Sequence, residues 1–271
     1  MYGDSRRRGA GYTAVLVGAT AALGVAVERA CRRHSVLHTA VTAAATWAVL
    51  GARSLEREAE TMAEMLEAKD IPGARDRLSH LCARDATDLE ADELARATVE
   101  SVAENTSDAC VAPLLWGGLL GVPGLLGYRA VNTLDAMVGY RSPRYEDFGW
   151  ASARLDDLVN LLPARVCALL TGLASGRPRE TVAVWRRDAP KHPSPNAGPV
   201  EAAFAGALGL TLGGTNSYGS YAEDRGTLGD GPAPTVADVR RTADLARRVG
   251  FAAVSVAAVL GTLLGKGKRW I

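Results

Sequence analysis

At 271 residues and a net charge of +1, the chain is long enough for a substantial buried core and lacks the basic excess that nucleic-acid binding requires. Cys31, Cys82, Cys110 and Cys167 stand without CxxC spacing or a histidine cluster, which argues against a disulfide framework or a zinc site. The apolar residues gather in long runs rich in Ala, Val, Leu and Gly with few aromatics. That distribution suits small-residue helix packing in a bilayer, and strand-type alternation is scarce, so the expectation is all-α: a multi-pass helical bundle in the cell membrane, in contact with lipid.

In chain order, the opening MYGDSRRRGAGYTAVLVG is basic and then apolar with no A-x-A-like junction, and reads as the flank of a first membrane helix. Apolar stretches follow at 11–27, 36–52, 110–131, 155–175, 199–214 and 248–265. A full span needs about 20 apolar residues; the first, second and last qualify and 199–214 is marginal. Segment 155–175 carries Asp156, Asp157 and Arg165, which favours packing inside the bundle. Segment 110–131 is broken by Gly121-Val122-Pro123-Gly124, the pattern of a re-entrant pair of half-helices. Residues 53–109 are a polar helical insertion within a single integral membrane domain, 1–271. In it, EREAETMAEMLEAKD is helical with Met62, Met65 and Leu66 on one face, Ile71-Pro72-Gly73 breaks the helix, and Asp88 or Asp92 caps the next. Residues 215–247, rich in Gly, Pro and Asp, read as loop. Arg6-Arg7-Arg8 and the tail Lys266, Lys268 and Arg269 favour the cytoplasmic side for both ends.

Five constellations carry chemistry. In RATVESVAENTSDACVAPLLW, Glu100, Glu104 and Asp108 are spaced four apart, so a helix stacks three carboxylates on one face with Arg96 a turn before them. Such a face suits Mg²⁺; a solvated helix face is the alternative, although Asn105, Thr106 and Ser107 are poor helix formers beside an apolar run. Asn132 and Asp135 are neighbours at the end of an apolar stretch, and with Arg141 they read equally as a polar site or as a helix C-terminus with a basic cap. In YEDFGWASARLDDLVN, Asp156 and Asn160 share a face, Asp157 adjoins them and Arg154 offers a partner; ionisable groups beside an apolar run mark function or a structural ion pair. In WRRDAPKHPSPNAGP, prolines stiffen a loop that holds Arg186, Arg187, Lys191, His192, Ser194 and Asn196 before an apolar helix. That is phosphate-binding chemistry at a helix start, or a solvated basic loop; it is not a Walker A motif. GGTNSYG, with Asn216 and Tyr218, allows close backbone approach to a ligand or an ordinary turn.

Taken together, ESVAENTSDACVAPLLW, NTLDAMVGYR, YEDFGWASARLDDLVNLLPAR, WRRDAPKHPSPNAGPVEAAFAGAL and GGTNSYG occur in one order over most of residues 70–220. They resemble the adenosylcobinamide-phosphate synthase (cobinamide synthase) family of cobalamin biosynthesis. The resemblance implies a multi-pass membrane enzyme that joins a propionate carboxylate of (adenosyl)cobyric acid to (R)-1-amino-2-propanol or its O-phosphate, in an ATP-dependent ligase reaction. Members usually open with a further apolar segment carrying a Gly-Asp-Pro or Gly-Glu-Pro turn and a His-Pro-Val element. This chain opens at YGDSRRRGAGY, so an upstream segment is expected to be missing.

Amide formation from a carboxylate needs activation through an acyl phosphate, with a cation for phosphate charge and a base for the ammonium proton. Laid on the matched motifs, this chemistry assigns Glu100, Glu104 and Asp108 to Mg²⁺, with Asp156 in support. Lys191, His192 and Asp157 are the catalytic candidates, with His192 as base or phosphate donor. Lys191, Arg186 and Arg187 hold phosphate; Asn196 and Asn216 bind corrin amides. Asn105, Asn132, Asp135, Arg141, Arg154, Asn160, Ser194 and Tyr218 complete the substrate-binding set. ATP is co-substrate, and the partners are the corrinoid, the aminopropanol (phosphate), lipid and other late cobalamin-pathway enzymes. A small-molecule transporter and a non-catalytic scaffold for late corrinoid enzymes are the competing classes.

Overall fold

The computed structural model describes residues 5–139, 145–218 and 222–267. Its helices are α1 (Arg6–Cys31), α2 (Ser35–Val49), α3 (Ala52–Glu67), α4 (Ile71–Leu78), α5 (Ala91–Thr106), α6 (Ala112–Leu120), α7 (Val122–Leu134), α8 (Trp150–Ser175), α9 (Pro178–Asp188), α10 (Ala197–Leu208) and, after strands β1 (Leu212–Ser217) and β2 (Ala222–Leu228), α11 (Val236–Gly267). Four helical stretches among the described residues are long and apolar enough to cross a membrane: Arg6–Cys31, Ser35–Glu67, Trp150–Ser175 and Val236–Leu264. Val36, Trp47, Phe251 and Leu263 stand exposed on them, as lipid-facing side chains would. The chain is an all-α membrane-type protein with one small β ribbon added, and its four cysteines are free.

The chain divides into two compact units. The first comprises Met1–Leu50, Ala112–Leu161 and Val254–Ile271. There α1 packs along α7 through Gly24, where a Cβ would lie 2.7 Å from the Pro123 Cα. Thr13 and Ser152 hydroxyls meet at 2.8 Å, joining α1 to the start of α8. The break expected in 110–131 falls at Gly121, whose φ is +75°. Glu28 accepts the first N–H of α7, from Val122, at 2.8 Å, satisfying a donor that the helix cannot. Pro123 sits in the first turn of α7, where its missing N–H does no harm.

The second unit comprises Gly51–Val111 and Leu162–Ala253. Helix α3 buries Leu55, Ala59, Met62, Ala63 and Leu66, while Met65 is only half-buried. Several sequence expectations need correction in this unit. The helix does break before Ile71-Pro72-Gly73, α3 ending at Glu67, but Pro72 sits in the first turn of α4, with the Asp70 carboxylate accepting from Gly73 N–H at 3.0 Å. Helix α5 starts after Glu90, not at Asp88 or Asp92; Glu93 accepts the Glu90 N–H at 3.0 Å. Segment 199–214 is no span. Helix α10 has 12 residues and is ended by left-handed Gly209 (φ +70°), and the chain continues into β1. Segment 215–247 is not loop throughout: it holds most of an antiparallel ribbon and the start of α11.

Candidate functional site

Helix α5 supplies the floor of the site. Glu100 is wholly buried. Its carboxylate accepts from Arg84, from Arg96 at 3.3 Å and from the Gly213 backbone N–H at 2.8 Å. Arg96 also donates to the Gly213 carbonyl and, at 3.3 Å, to Asn216 Oδ1. The strands pair Leu212 with Leu228 and Gly213 with Thr227, then slip by a bulge before Thr215 pairs with Asp224. Gly213 and Gly214 hold φ of +87° and +84° there, and a Cβ on Gly213 would lie 2.1 Å from the Gly226 carbonyl oxygen. The glycines read from sequence as room for a ligand thus let two strands and the α5 carboxylate close on one another.

One turn further along α5, Glu104 meets Arg225 of β2. Arg225 Nη2 lies 2.6 Å from Glu104 Oε1 and 3.4 Å from Glu201 Oε1 on α10, and its Nε donates to His192 Nε2 at 2.8 Å. His192 Nε2 and Glu201 Oε1 are 3.5 Å apart. A guanidinium only donates, so Nε2 accepts from Arg225, while Nδ1 faces the Ser194 backbone, accepting its N–H at 3.0 Å with the Ser194 carbonyl at 3.3 Å. Burial, reinforced by the Arg225 charge, holds His192 below the usual imidazole range. Burial drives Glu201 well above the usual carboxyl range. Glu104 is pulled below that range: burial opposes the shift, but the Arg225 charge and a hydrogen bond from Glu201 outweigh it. The arrangement is a carboxylate, a carboxylic acid and a neutral imidazole around one guanidinium.

Donor atoms of Glu104, His192 and Glu201 lie within 4.8 Å of one another, and neither Glu201 oxygen accepts a hydrogen bond. This oxygen-and-imidazole set fits a divalent cation, with Arg225 as the cation in the state described. It is not the stacked face that the spacing suggested. Glu100 is neutralised by two arginines. Asp108 lies half-buried in a π-helical segment, Ser107–Val111. Asp156 belongs to the first unit.

The basic loop is also placed differently from expectation. Asp188 is wholly buried and accepts from Arg187 at 2.8 and 2.6 Å, from Lys191 at 2.6 Å and from Gly229 N–H at 2.8 Å. The side-chain bond from Arg187, followed by that from Lys191, overcomes burial and holds Asp188 far below the usual carboxylate range. Lys191 and Arg187 therefore brace the α9 end against the ribbon, and Arg186 stands exposed. Ser194 Oγ accepts from Ala197 N–H at 3.1 Å, and Asn196 Oδ1 accepts from Arg165 at 3.2 Å. Both residues fix the entry to α10. Asn105 turns back to its own helix, donating to the Ser101 carbonyl at 2.9 Å. Tyr218 is half-buried beside Asn216.

In the first unit, α7 and α8 bring together a second set of the expected residues. Tyr128 donates to Asn160 Oδ1 at 3.0 Å and Asn160 donates to Asp156 at 2.9 Å. Asn132 also bonds Asp156. Asp135 opens a second π-helical segment, Asp135–Gly139, and Arg154 reaches Asp157 at 3.5 Å on the surface. π-helical turns recur at functional sites. Arg141 lies outside the described residues.

Sequence reasoning missed Arg84, Glu201 and Arg225. Glu201 carried a signal, a lone carboxylate in the apolar run PVEAAFAGAL. Arg225 lay in a stretch read as loop, and Arg84 has no distinguishing context.

A family profile described as CobD/Cbib protein matches residues 2–246. The cobalamin biosynthesis protein CobD of Mycobacterium tuberculosis is 51% identical over 263 residues, 96% of this chain and 83% of the relative. Proteins of the same name from Rhodobacter capsulatus and Geobacter metallireducens are 48% identical over 203 residues (74% of this chain, 65% of theirs) and 46% over 261 (93% and 80%). No solved structure matches.

Proposed function

The chain belongs to the CobD/Cbib family and is a cobalamin biosynthesis enzyme, and we propose that it forms the amide bond between a propionate carboxylate of (adenosyl)cobyric acid and (R)-1-amino-2-propanol or its O-phosphate. It would do so as an integral protein of the cell membrane, in contact with lipid and with other late enzymes of the pathway. The observation that carries this reading is the cluster of half-buried Glu104 and Arg225 with buried His192 and Glu201, built from two of the family's motifs and the ribbon that follows them.

ATP with Mg²⁺ supplies the activation that a free carboxylate needs and the neutralisation of phosphate charge. Glu104 and Glu201 would hold the divalent ion. His192, held below the usual imidazole range, is suited to take the proton that the amine nitrogen sheds as it attacks the carbon of the carboxyl activated as an acyl phosphate, from which phosphate would leave. Arg225 balances the buried carboxylate charge until the cation enters. Burial keeps water from competing with the amine.

The test is a membrane-fraction assay with adenosylcobyric acid, ATP, Mg²⁺ and either amine, resolving corrinoids by mass. The expected product is heavier by the amine less one water. Glu104→Gln should lower turnover at least about 100-fold while the protein stays folded. An unchanged corrinoid with either amine would overturn the reading, and near-normal turnover in the variant would remove Glu104 from the machinery.

A further inference from the structure

Arg84 is a buried guanidinium, 7% exposed, on the irregular segment between α4 and α5. Its Nη2 is spent on Glu100, but Nε and Nη1 find no acceptor. Asn216, 1% exposed, accepts from Arg96 through Oδ1, and its Nδ2 has no acceptor besides the neighbouring Tyr218 hydroxyl. The two are held together. Asp85, next to Arg84, donates its backbone N–H to the Ser217 carbonyl at 3.0 Å, and both side chains join the Glu100–Arg96 pair. Buried donors normally find partners, and leaving a charged one unmet is costly. Two unmet N–H groups on one buried guanidinium, with the Asn216 amide beside it, point to an acceptor-rich ligand.

The local charge agrees. Three guanidinium groups, Arg84, Arg96 and Arg225, are gathered on this ground against Glu100, Glu104 and Glu201. Tyr218 adjoins this ground, next to Asn216 and within the fields of Arg225 and Arg84. An apolar or cationic ligand would leave the donors unmet. A phosphoryl group offers several acceptor oxygens and matches a guanidinium fork.

We propose that Arg84 and Asn216 form a buried phosphoryl-binding site, with Arg96 and Tyr218 at its edge, next to the Glu104–His192–Glu201 cluster. It displaces the basic 186–191 loop, whose Arg187 and Lys191 are committed to Asp188, as the place where phosphate is held. The phosphoryl group belongs either to a phosphorylated amine or to a nucleotide. That choice rests on the amide-synthase reading; the site itself does not.

The experiment is calorimetric titration of the full-length protein in lipid nanodiscs with inorganic phosphate, then with aminopropanol phosphate, aminopropanol and a non-hydrolysable ATP analogue. Phosphate should bind the wild type. Arg84→Lys, which keeps the charge against Glu100 but loses the fork, and Asn216→Asp should each weaken it about tenfold or more. Arg84→Met with Glu100→Gln removes the buried pair together, so a fold is retained and phosphate binding should still be lost. Loss of aminopropanol phosphate binding in these variants assigns the site to the amine; loss of the analogue assigns it to the nucleotide. Unchanged affinities in folded variants, or no phosphate binding by the wild type, would overturn the proposal. Variant-sensitive phosphate binding without amide product would sink the enzymatic reading alone. Full amide synthesis by Arg84→Lys and Asn216→Asp would sink this site alone.

Discussion

The residues of the Glu104 cluster are unequal in what they do for the fold. Glu104 needs Arg225, because removing one partner of a half-buried ion pair leaves a poorly compensated charge. Glu201 does not, because burial keeps it protonated. Arg225→Met should therefore destabilise the protein by about 2 kcal/mol, and Glu201→Gln, an uncharged isostere of a group that burial keeps protonated, by less than about 1 kcal/mol. Thermal melts of both variants check this; equal losses would show Glu201 to be ionised. His192 gives a pH signature. Its folded pKa lies below 6.5, first through burial and then through Arg225. Below about 6.5 the unfolded chain binds a proton that the folded chain resists, so this contribution to stability is constant above that pH and is lost as pH falls toward the folded value. Glu201 acts in the opposite sense, since its raised pKa favours the folded state as pH falls. The comparison is therefore wild type against His192→Gln from pH 7.5 to 5.5. The variant should gain on the wild type as pH drops, and a constant difference would reject a depressed His192.

Which of these residues could be read from sequence follows from where their partners come from. Glu104 and His192 stand in distinctive runs, ENTSD and KHPSPN, so residue type and neighbours were enough to single them out. Glu201, Arg225 and Arg84 become site residues only because the ribbon folds over α5 and α10. At the scale of elements the same contrast holds. The long apolar helices and the break at Gly121 follow from runs of apolar residues and one glycine. The ribbon does not, because GGTNS and AEDRGTL lack apolar alternation and owe their pairing to backbone bonds and to side chains of α5. Its glycines make that testable. Gly213→Ala forces a Cβ into the Gly226 carbonyl at a positive φ and should cost about 2 kcal/mol or more, together with most of the turnover, because Gly213 N–H holds Glu100. Gly11→Ala, with nothing within 4 Å of the added carbon, should change stability by less than about 1 kcal/mol. Equal effects of the two would mean that the ribbon contributes nothing to the site.

For the whole molecule, the contacts inside the second unit constrain topology more tightly than hydropathy does. Apolar runs and basic termini bear on the two ends of the chain and not on the polar segments between them. The bonds from Glu100 to Gly213 and from Glu104 to Arg225, at 2.8 and 2.6 Å, are direct contacts between residues of Gly51–Val111 and Leu162–Ala253. No bilayer, about 30 Å thick in its hydrocarbon core, can lie between them. For α8, the candidate span that separates Glu104 from His192 along the chain, to cross the bilayer, the α6–α7 segment would have to cross it as well. Cysteines introduced at exposed Asp76 and Arg179, in a background without the four native cysteines, should react with an impermeant maleimide from the same face of oriented vesicles. Labelling from opposite faces would break the unit apart, and with it the cluster on which the proposed chemistry depends.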